Sequence, residues 1–596
     1  MYFSCLRIRA PSVYRSLSSA STYRSTSLAT ATAPAFASHQ PTESHQSQPP
    51  ANMAATTSMA FSQMAGRLNP NLLNALDKMQ YANMTPVQQQ VLQLPTFNQD
   101  CLVQAKTGTG KTIAFLLPAL NNLLSNKGLQ RSNVGLLVLA PTRELAQQIA
   151  DECDKLTSLC QPPLECHLAV GGSNRKSQLS KFLNGNPTIL VATPGRLTDY
   201  LSEAGPRKKL SQVRCVVLDE ADRMLDAGFM PALVKILEQL PPKAEAGWQG
   251  MCFSATMPPE INKVLHLVLK PNHVRLSTLS ENDTPTVDAI PQSLIQVKGV
   301  EDVFPTLHRL LSCERIDNPS LKAIIFSSTA RQAGLMYHIF GHTGGASPGK
   351  LPVWQMNSRM SQPARNRTVE EFKATDRGLL FASDVVGRGM DFPDIGLVIQ
   401  IGLPLDKEQY VHRVGRTGRA GKGGRAVSIL TPEEMPFVRR NRQFPIKETT
   451  LTHPKANEIP SEKIIGDALA KVPEENKAQA YVAFLGFTKT LKRIHGMDAP
   501  EVVKLANRFA GAMGLDGPPP IEPSTVSKMG LKGVPGLVIF GKNGVPKSES
   551  KRPNPRNGSG MKKDLGDSAQ EGRSGGGGGG GGGDRPAAKR PRRGKY

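Results

Sequence analysis

The chain has 596 residues, with 73 Lys and Arg against 49 Asp and Glu for a net charge of +24, and 39% of its residues are hydrophobic. At roughly 150 residues per domain this length allows about four units at most, and the apolar content excludes wholesale disorder. No run approaches the roughly 18 consecutive apolar residues of a membrane span. The eight cysteines form no Cys-x-x-Cys pair, which argues against a zinc module or a disulfide scaffold. The excess of positive charge points to a polyanionic partner.

The two ends differ from the middle. Arg7, Arg9, Arg15 and Arg24 stand among many serines, with no acid before Glu43. That is the composition of a mitochondrial presequence, the alternative being an ordinary disordered tail. The far end carries Lys551-Arg552, Lys562-Lys563, a glycine run at 575–583 and Lys589-Arg590-Pro591-Arg592-Arg593. Such a segment buries no core, and it gains affinity for RNA by neutralising phosphates. Its last cluster would equally serve as a nuclear address. The presequence pattern is the longer one, and the expected location is the mitochondrial matrix.

In chain order, short apolar runs recur and each stops at a small, polar or charged cluster. Cys101–Ala105 precedes Lys106-Thr107-Gly108, and Gly135–Ala140 precedes Pro141-Thr142-Arg143-Glu144. Thr188–Ala192 precedes Thr193-Pro194-Gly195-Arg196, Cys215–Leu218 precedes Asp219-Glu220-Ala221-Asp222, and Met251–Phe253 precedes Ser254-Ala255-Thr256. Strands of this kind, alternating with helical patterns, predict a parallel α/β sheet whose functional groups gather beyond the strands' carboxyl ends. The pattern repeats with Ala323–Phe326, Gly378–Phe381, Leu397–Ile401 and Ala426–Leu430. A second sheet of the same kind is therefore expected, with a cleft between the two. Three amphipathic helices are predicted within Ile464–Leu469, Ala478–Leu491 and Val502–Met513. The domain reading is then 1–58 presequence and disordered segment, 59–276 first α/β domain, 277–291 linker, 292–432 second α/β domain, 433–530 helical extension and 531–596 basic Gly-rich disordered tail. The extension either widens an RNA track or acts as a structural buttress.

Ala105-Lys106-Thr107-Gly108-Thr109-Gly110-Lys111-Thr112 ends a strand and opens the helical pattern Ile113–Leu124. This is the setting of a phosphate-binding loop, in which backbone N–H groups wrap the anion at a helix N-terminus. Lys111 would reach the β/γ-phosphates of ATP and the Thr112 hydroxyl would ligate Mg²⁺. The first glycine of the usual motif is Ala105 here. Asp219 and Glu220, after a fully apolar strand, supply a Mg²⁺-shell carboxylate and a group to orient or deprotonate the attacking water.

With Asp219-Glu220-Ala221-Asp222 the chain resembles the DEAD-box ATP-dependent RNA helicases. The resemblance extends through Pro141-Thr142-Arg143-Glu144-Leu145-Ala146, Gly171-Gly172, Thr193-Pro194-Gly195-Arg196, Ser254-Ala255-Thr256, Ser383-Asp384, Arg388-Gly389-Met390-Asp391 and His412-Arg413-Val414-Gly415-Arg416-Thr417-Gly418-Arg419. It covers roughly residues 60–432 and implies two tandem RecA-like α/β domains. By this resemblance Gln88 reads adenine, Tyr81 stacks on the base (the alternative being a core tyrosine) and Asp391 binds the ribose. The same resemblance implies that Arg416 and Arg419 are the arginine fingers. It implies RNA-backbone contacts by Thr142, Arg143, Gly172, Thr193 and Arg196 of the first domain and by Arg365 and Ser383 of the second. It further implies that Asp222, Ser254, Thr256 and His412 couple hydrolysis to closure. Met84, Gln80, Ser383 and Gly387 depart from the commonest family pattern. With its presequence and extension the chain is similar to the fungal mitochondrial branch, whose members act as RNA chaperones in intron splicing. The expected activity is RNA-stimulated ATP hydrolysis coupled to local unwinding by a monomer, the rival reading being an ATP-gated RNA clamp.

Overall fold

A computed structural model describes residues 59–547, apart from 127, 162, 226–227, 280–289, 344–350, 387–389, 391, 405, 419–422 and 542–545 and the side chains of 491–495 and 546–547. The presequence, Asp391, Arg419, the Arg388-Gly389 pair, most of the linker and the tail beyond 547 therefore lie outside the described residues.

The first sheet holds β1 (Cys101–Gln104), β2 (Leu136–Leu139), β3 (Cys166–Ala169), β4 (Ile189–Ala192), β5 (Cys215–Asp219), β6 (Gln249–Ser254) and β7 (Val274–Ser277). All pair in parallel in the order β3-β4-β2-β5-β6-β1-β7. The alternation of a strand sends Leu136 and Val138 to one face and Leu137 and Leu139 to the other, and all four are fully buried. A sheet covered on both faces requires such unbroken apolar strands. Helices α1 (Pro70–Lys78), α2 (Pro86–Leu92), α3 (Lys111–Ser125) and α4 (Arg143–Thr157) cover the first of these faces.

The second sheet holds β8 (Gln292–Gln296), β9 (Lys322–Ser327), β10 (Val353–Met356), β11 (Gly378–Ala382), β12 (Leu397–Ile401), β13 (Arg425–Leu430) and β14 (Ile446–Glu448), again all parallel, in the order β10-β11-β9-β12-β13-β8-β14. Two parallel α/β domains match the expected fold class. The domain boundaries differ from expectation. The second sheet does not end at 432, because β14 pairs with β8 through Ile446 and Gln292. Order also continues past 530: Leu531 is buried, Val534, Leu537 and Ile539 pack on the same core, and Ile521 bridges to Ile539. Gly530, Gly533 and Gly536, each with positive φ, turn the chain back here and break any periodic pattern.

Between these points run the helices Ser461–Ala470, Glu474–His495 and Ala499–Ala512, where three amphipathic helices are predicted, followed by Pro523–Lys528. Ile465, Tyr481, Leu485, Val502 and Phe509 share one core with Phe304, Leu307 and Ile339 of the second domain. Burying each such side chain contributes about 1.5–3 kcal/mol. Arg508 adds ion pairs to Glu301 at 2.9 Å and Glu433 at 3.5 Å. The extension thus packs on one face of the second domain and shares its core.

Candidate active site between the two sheets

The loop after β1 carries the expected phosphate-site residues. Gly108 and Gly110 have φ of +76° and +85°, and Gly110 is the N-cap of α3. A Cβ on Gly110 would lie 2.4 Å from Gln88 Nε2, so only glycine lets α2 approach. Gln88 sits at the third position of α2, where its Oε1 accepts from the Thr85 N–H at 2.9 Å and its Nε2 donates to the Gly110 carbonyl at 3.2 Å. The loop is braced internally by Thr109 Oγ1 donating to Lys106 O at 2.8 Å and by Lys111 Nζ donating to Ala105 O at 3.2 Å. Lys111 is buried and Thr112 half-buried. Tyr81 is 41% exposed, which rules out the alternative of a core tyrosine.

At the end of β5, separated from β1 only by β6, Asp219 and Glu220 are both buried. Glu220 adopts φ +52°, left-handed for a residue with a side chain, and its N–H donates to Asp219 Oδ1 at 2.9 Å. Burial, and after it the charge of Glu220, push the Asp219 carboxyl up to about 7, while Lys111 pulls it back. Added positive charge at this spot is therefore favoured. A divalent ion would supply it, and the oxygens of Asp219 and Thr112 are hard donors that would fit one.

Asp222 collects the expected coupling residues. Ser254 Oγ and Thr256 Oγ1 donate to its two oxygens, each at 2.7 Å. His412 Nε2 of the second domain stands 3.3 Å from Asp222 Oδ2, and His412 Nδ1 stands 3.8 Å from Glu220 Oε2. His412 belongs to the helix Lys407–Val414, so the first domain's acids and the second domain's histidine form one buried cluster. Just beyond that helix, Thr107 Oγ1 donates to the Gly415 carbonyl at 3.4 Å. Arg416 is buried, with Nε donating to the His412 carbonyl at 3.0 Å and Nη1 to the Met390 carbonyl.

A second stretch of the cleft, about 390 Å³, is lined from both domains by Thr142, Arg143, Glu144, Arg365, Ser383 and Asp384. It adjoins, through Pro141 and Arg143, a hollow of about 350 Å³ lined by Gly171, Thr193, Gly195, Arg196 and Phe229. Thr142 caps α4 by accepting from the Leu145 N–H, and Thr193 occupies the N-cap of the helix Pro194–Tyr200. Gly172 has φ +82°, and a Cβ there would lie 2.2 Å from Arg143 Nη1. Arg196 is held by Gln178 at 2.9 Å and the Ser173 carbonyl at 3.2 Å. Hydroxyls, guanidinium groups and helix N-termini suit a sugar–phosphate backbone.

Sequence reasoning missed how this stretch is closed. Arg365 Nη2 pairs with Glu144 Oε2 at 2.7 Å, and Gln362 Nε2 donates to Glu144 Oε1 at 3.0 Å. Arg143 Nη1 donates to Gln362 Oε1 at 3.3 Å. Gln362 and Arg365 lie three apart on the helix Gln362–Ala374 and so share a face, the one signal in the sequence that could have linked them. Arg413, which donates to Asp384 at 2.7 Å, was likewise read only as part of a motif.

The residues match two family models, DEAD/DEAH box helicase over 85–264 and helicase conserved C-terminal domain over 303–421. The chain is 52% identical over 482 residues to a protein of Phaeosphaeria nodorum, "ATP-dependent RNA helicase MSS116, mitochondrial", covering 80% of this chain and 86% of that one. It is 47% identical to a protein of the same name in Aspergillus oryzae, covering 86% and 81%. Among solved structures it resembles "DEAD-box helicase Mss116 bound to ssRNA and UDP-BeF", with 27% identity and a TM-score of 0.71 over 81% of this chain and 97% of that one. From the motifs, the two sheets and these likenesses together, the chain belongs to the DEAD-box family of ATP-dependent RNA helicases.

Proposed function

We propose that this protein is a mitochondrial RNA helicase that couples RNA-stimulated ATP hydrolysis to local, non-processive separation of short duplexes, remodelling RNA during processing and splicing. The observation that carries this reading is the shared cleft. Its phosphate loop contacts the Gly415 carbonyl, and its adjoining stretch is lined by Thr142 and Arg143 of one domain and Arg365 and Ser383 of the other.

In this reading Gln88 and Tyr81 recognise adenine, the residues from Ala105 to Thr112 hold the phosphates, and Asp391 holds the ribose. The Thr112 hydroxyl and Asp219 would hold Mg²⁺, whose positive charge would offset that of the phosphates. Glu220 orients the attacking water and takes its proton, and Lys111, Arg416 and Arg419 stabilise the negative charge on the transferred group. Arg416 must leave the carbonyls of His412 and Met390 to do so. Closure is what both ligands favour, since the sites for each are divided between the domains. One strand bent in the closed groove cannot stay paired, and hydrolysis resets the groove.

The protein acts as a monomer, with its basic tail adding sequence-independent RNA contacts. The acid-free, Arg-rich start and the word mitochondrial in the names of both fungal relatives support a matrix location. No relative named above supports the nuclear alternative. The test is ATP hydrolysis with and without structured RNA, with duplex release followed in the same reactions, for the parent protein and Glu220→Gln. RNA-stimulated hydrolysis and strand release, both lost in the variant, are expected. Stimulated hydrolysis without strand release would replace the helicase by a clamp.

A further inference from the structure

Tyr81 has the most exposed aromatic ring among the described residues, and its geometry is not that of a loose surface group. It follows Gln80, whose φ of +60° turns the chain at the end of α1, and its N–H donates to the Leu76 carbonyl at 2.9 Å. Two residues on, Asn83 bridges to Ala60. Four residues on, Thr85 caps the helix that brings Gln88 to the phosphate loop. The backbone on both sides of the ring is therefore fixed. The ring itself is tethered at its far end, where the hydroxyl donates to Glu152 Oε1 at 3.1 Å. Glu152 projects from the third turn of α4, is only 17% exposed, and has Lys155 at 3.6 Å from its other oxygen.

A partly exposed tyrosine with a fixed backbone still has several staggered χ1 wells open to it. The bond to Glu152 selects one of them. We propose that Glu152 is a positioning residue for the nucleotide base: it accepts the Tyr81 phenolic hydrogen and so holds the ring face in the orientation on which adenine stacks. The inference rests on the reading of Tyr81 as the base-stacking residue. A phenylalanine here would stack equally well but could not be tethered, so the role belongs to the hydroxyl and its acceptor. Stacking is the same in ground and transition states, so loss of the tether raises KM for ATP and leaves kcat alone.

The experiment is steady-state ATP hydrolysis at saturating RNA by the full chain, with Tyr81→Ala, Tyr81→Phe, Glu152→Ala, Glu152→Gln and the Tyr81→Phe/Glu152→Ala double variant. Tyr81→Ala raises KM for ATP by about tenfold, the size of a lost base–aromatic stack. Tyr81→Phe and Glu152→Ala each raise it by about threefold with kcat within about twofold, as one net hydrogen bond predicts. The double variant is no worse than either single one, and Glu152→Gln, which keeps an acceptor oxygen, is close to the parent. A KM unmoved by Glu152→Ala while Tyr81→Ala raises it would overturn the tether and leave the stacking reading intact. A KM unmoved by Tyr81→Ala would remove the stacking reading itself. Additive effects in the double variant would mean that Glu152 acts through the fold and not through Tyr81.

Discussion

Arg365 and Glu144 meet across the cleft at 2.7 Å with side chains only 6% and 4% exposed, so the closed groove is pinned by a buried ion pair between the two domains. Such a pair is weak evidence for stability, but removing one partner strands a charge, at about 3–5 kcal/mol. That cost falls on the closed state alone, since opening the cleft returns Glu144 to water. Arg365→Met is therefore expected to lower RNA-stimulated kcat by more than about tenfold. Each domain's own unfolding should be little changed. Hydrolysis assays paired with thermal melts check this, and a melt lowered in step with activity would mean that the pair supports the fold instead.

Asp219 gives a pH signature. Its folded-state pKa is raised, to about 7 from 3.8, chiefly by burial. Between those values the folded protein binds more protons than the unfolded chain, so stability falls as pH rises through this window. The loss is complete above the folded pKa. Asp219→Asn removes the titrating group, and in EDTA the variant should gain stability relative to the parent as pH is taken from about 4 to about 8. Thermal melts across that range test the sign. Added Mg²⁺ and ATP should reverse the order at the upper end, because the charged carboxylate is then the form that is used.

What the sequence made legible follows from how far each feature depends on its own neighbourhood. The central strands β2, β5, β9 and β12 are buried along their whole length, so their interiors are apolar apart from Gln400 and are legible within a residue or two. The edge strands β3, β7, β10 and β14 include His167, Arg275, Gln355 and Lys447, because one side of each is half-exposed, and no apolar run announces them. The phosphate loop was legible because its glycines are needed by local backbone angles. The Glu144–Gln362 contact was not, since the two residues are 218 apart in sequence and meet only when two separately folded sheets come together. In the same way the turn after 530 depends on Leu531 and Ile539 finding a core built by residues more than two hundred positions earlier.

Gly415 supplies the sharpest steric test of closure. A Cβ at this position would lie 2.7 Å from Thr107 Oγ1 and 3.2 Å from the Val411 carbonyl. Its φ of −66° is ordinary for any residue, so alanine is allowed by the backbone and is refused only by what it meets. The near atom belongs to the phosphate loop of the other domain, so Gly415→Ala should fold normally and fail to close. RNA-stimulated kcat is expected to fall by about tenfold, with little change in the melting temperature. Thr107→Ala removes the obstructing hydroxyl together with its bond to the Gly415 carbonyl. It should cost severalfold by itself, yet restore part of the activity when combined with Gly415→Ala. Partial recovery in the double variant would locate the defect at the meeting of the two domains. If the double variant is as slow as Gly415→Ala, the added methyl is disturbing the second domain through the Val411 carbonyl instead.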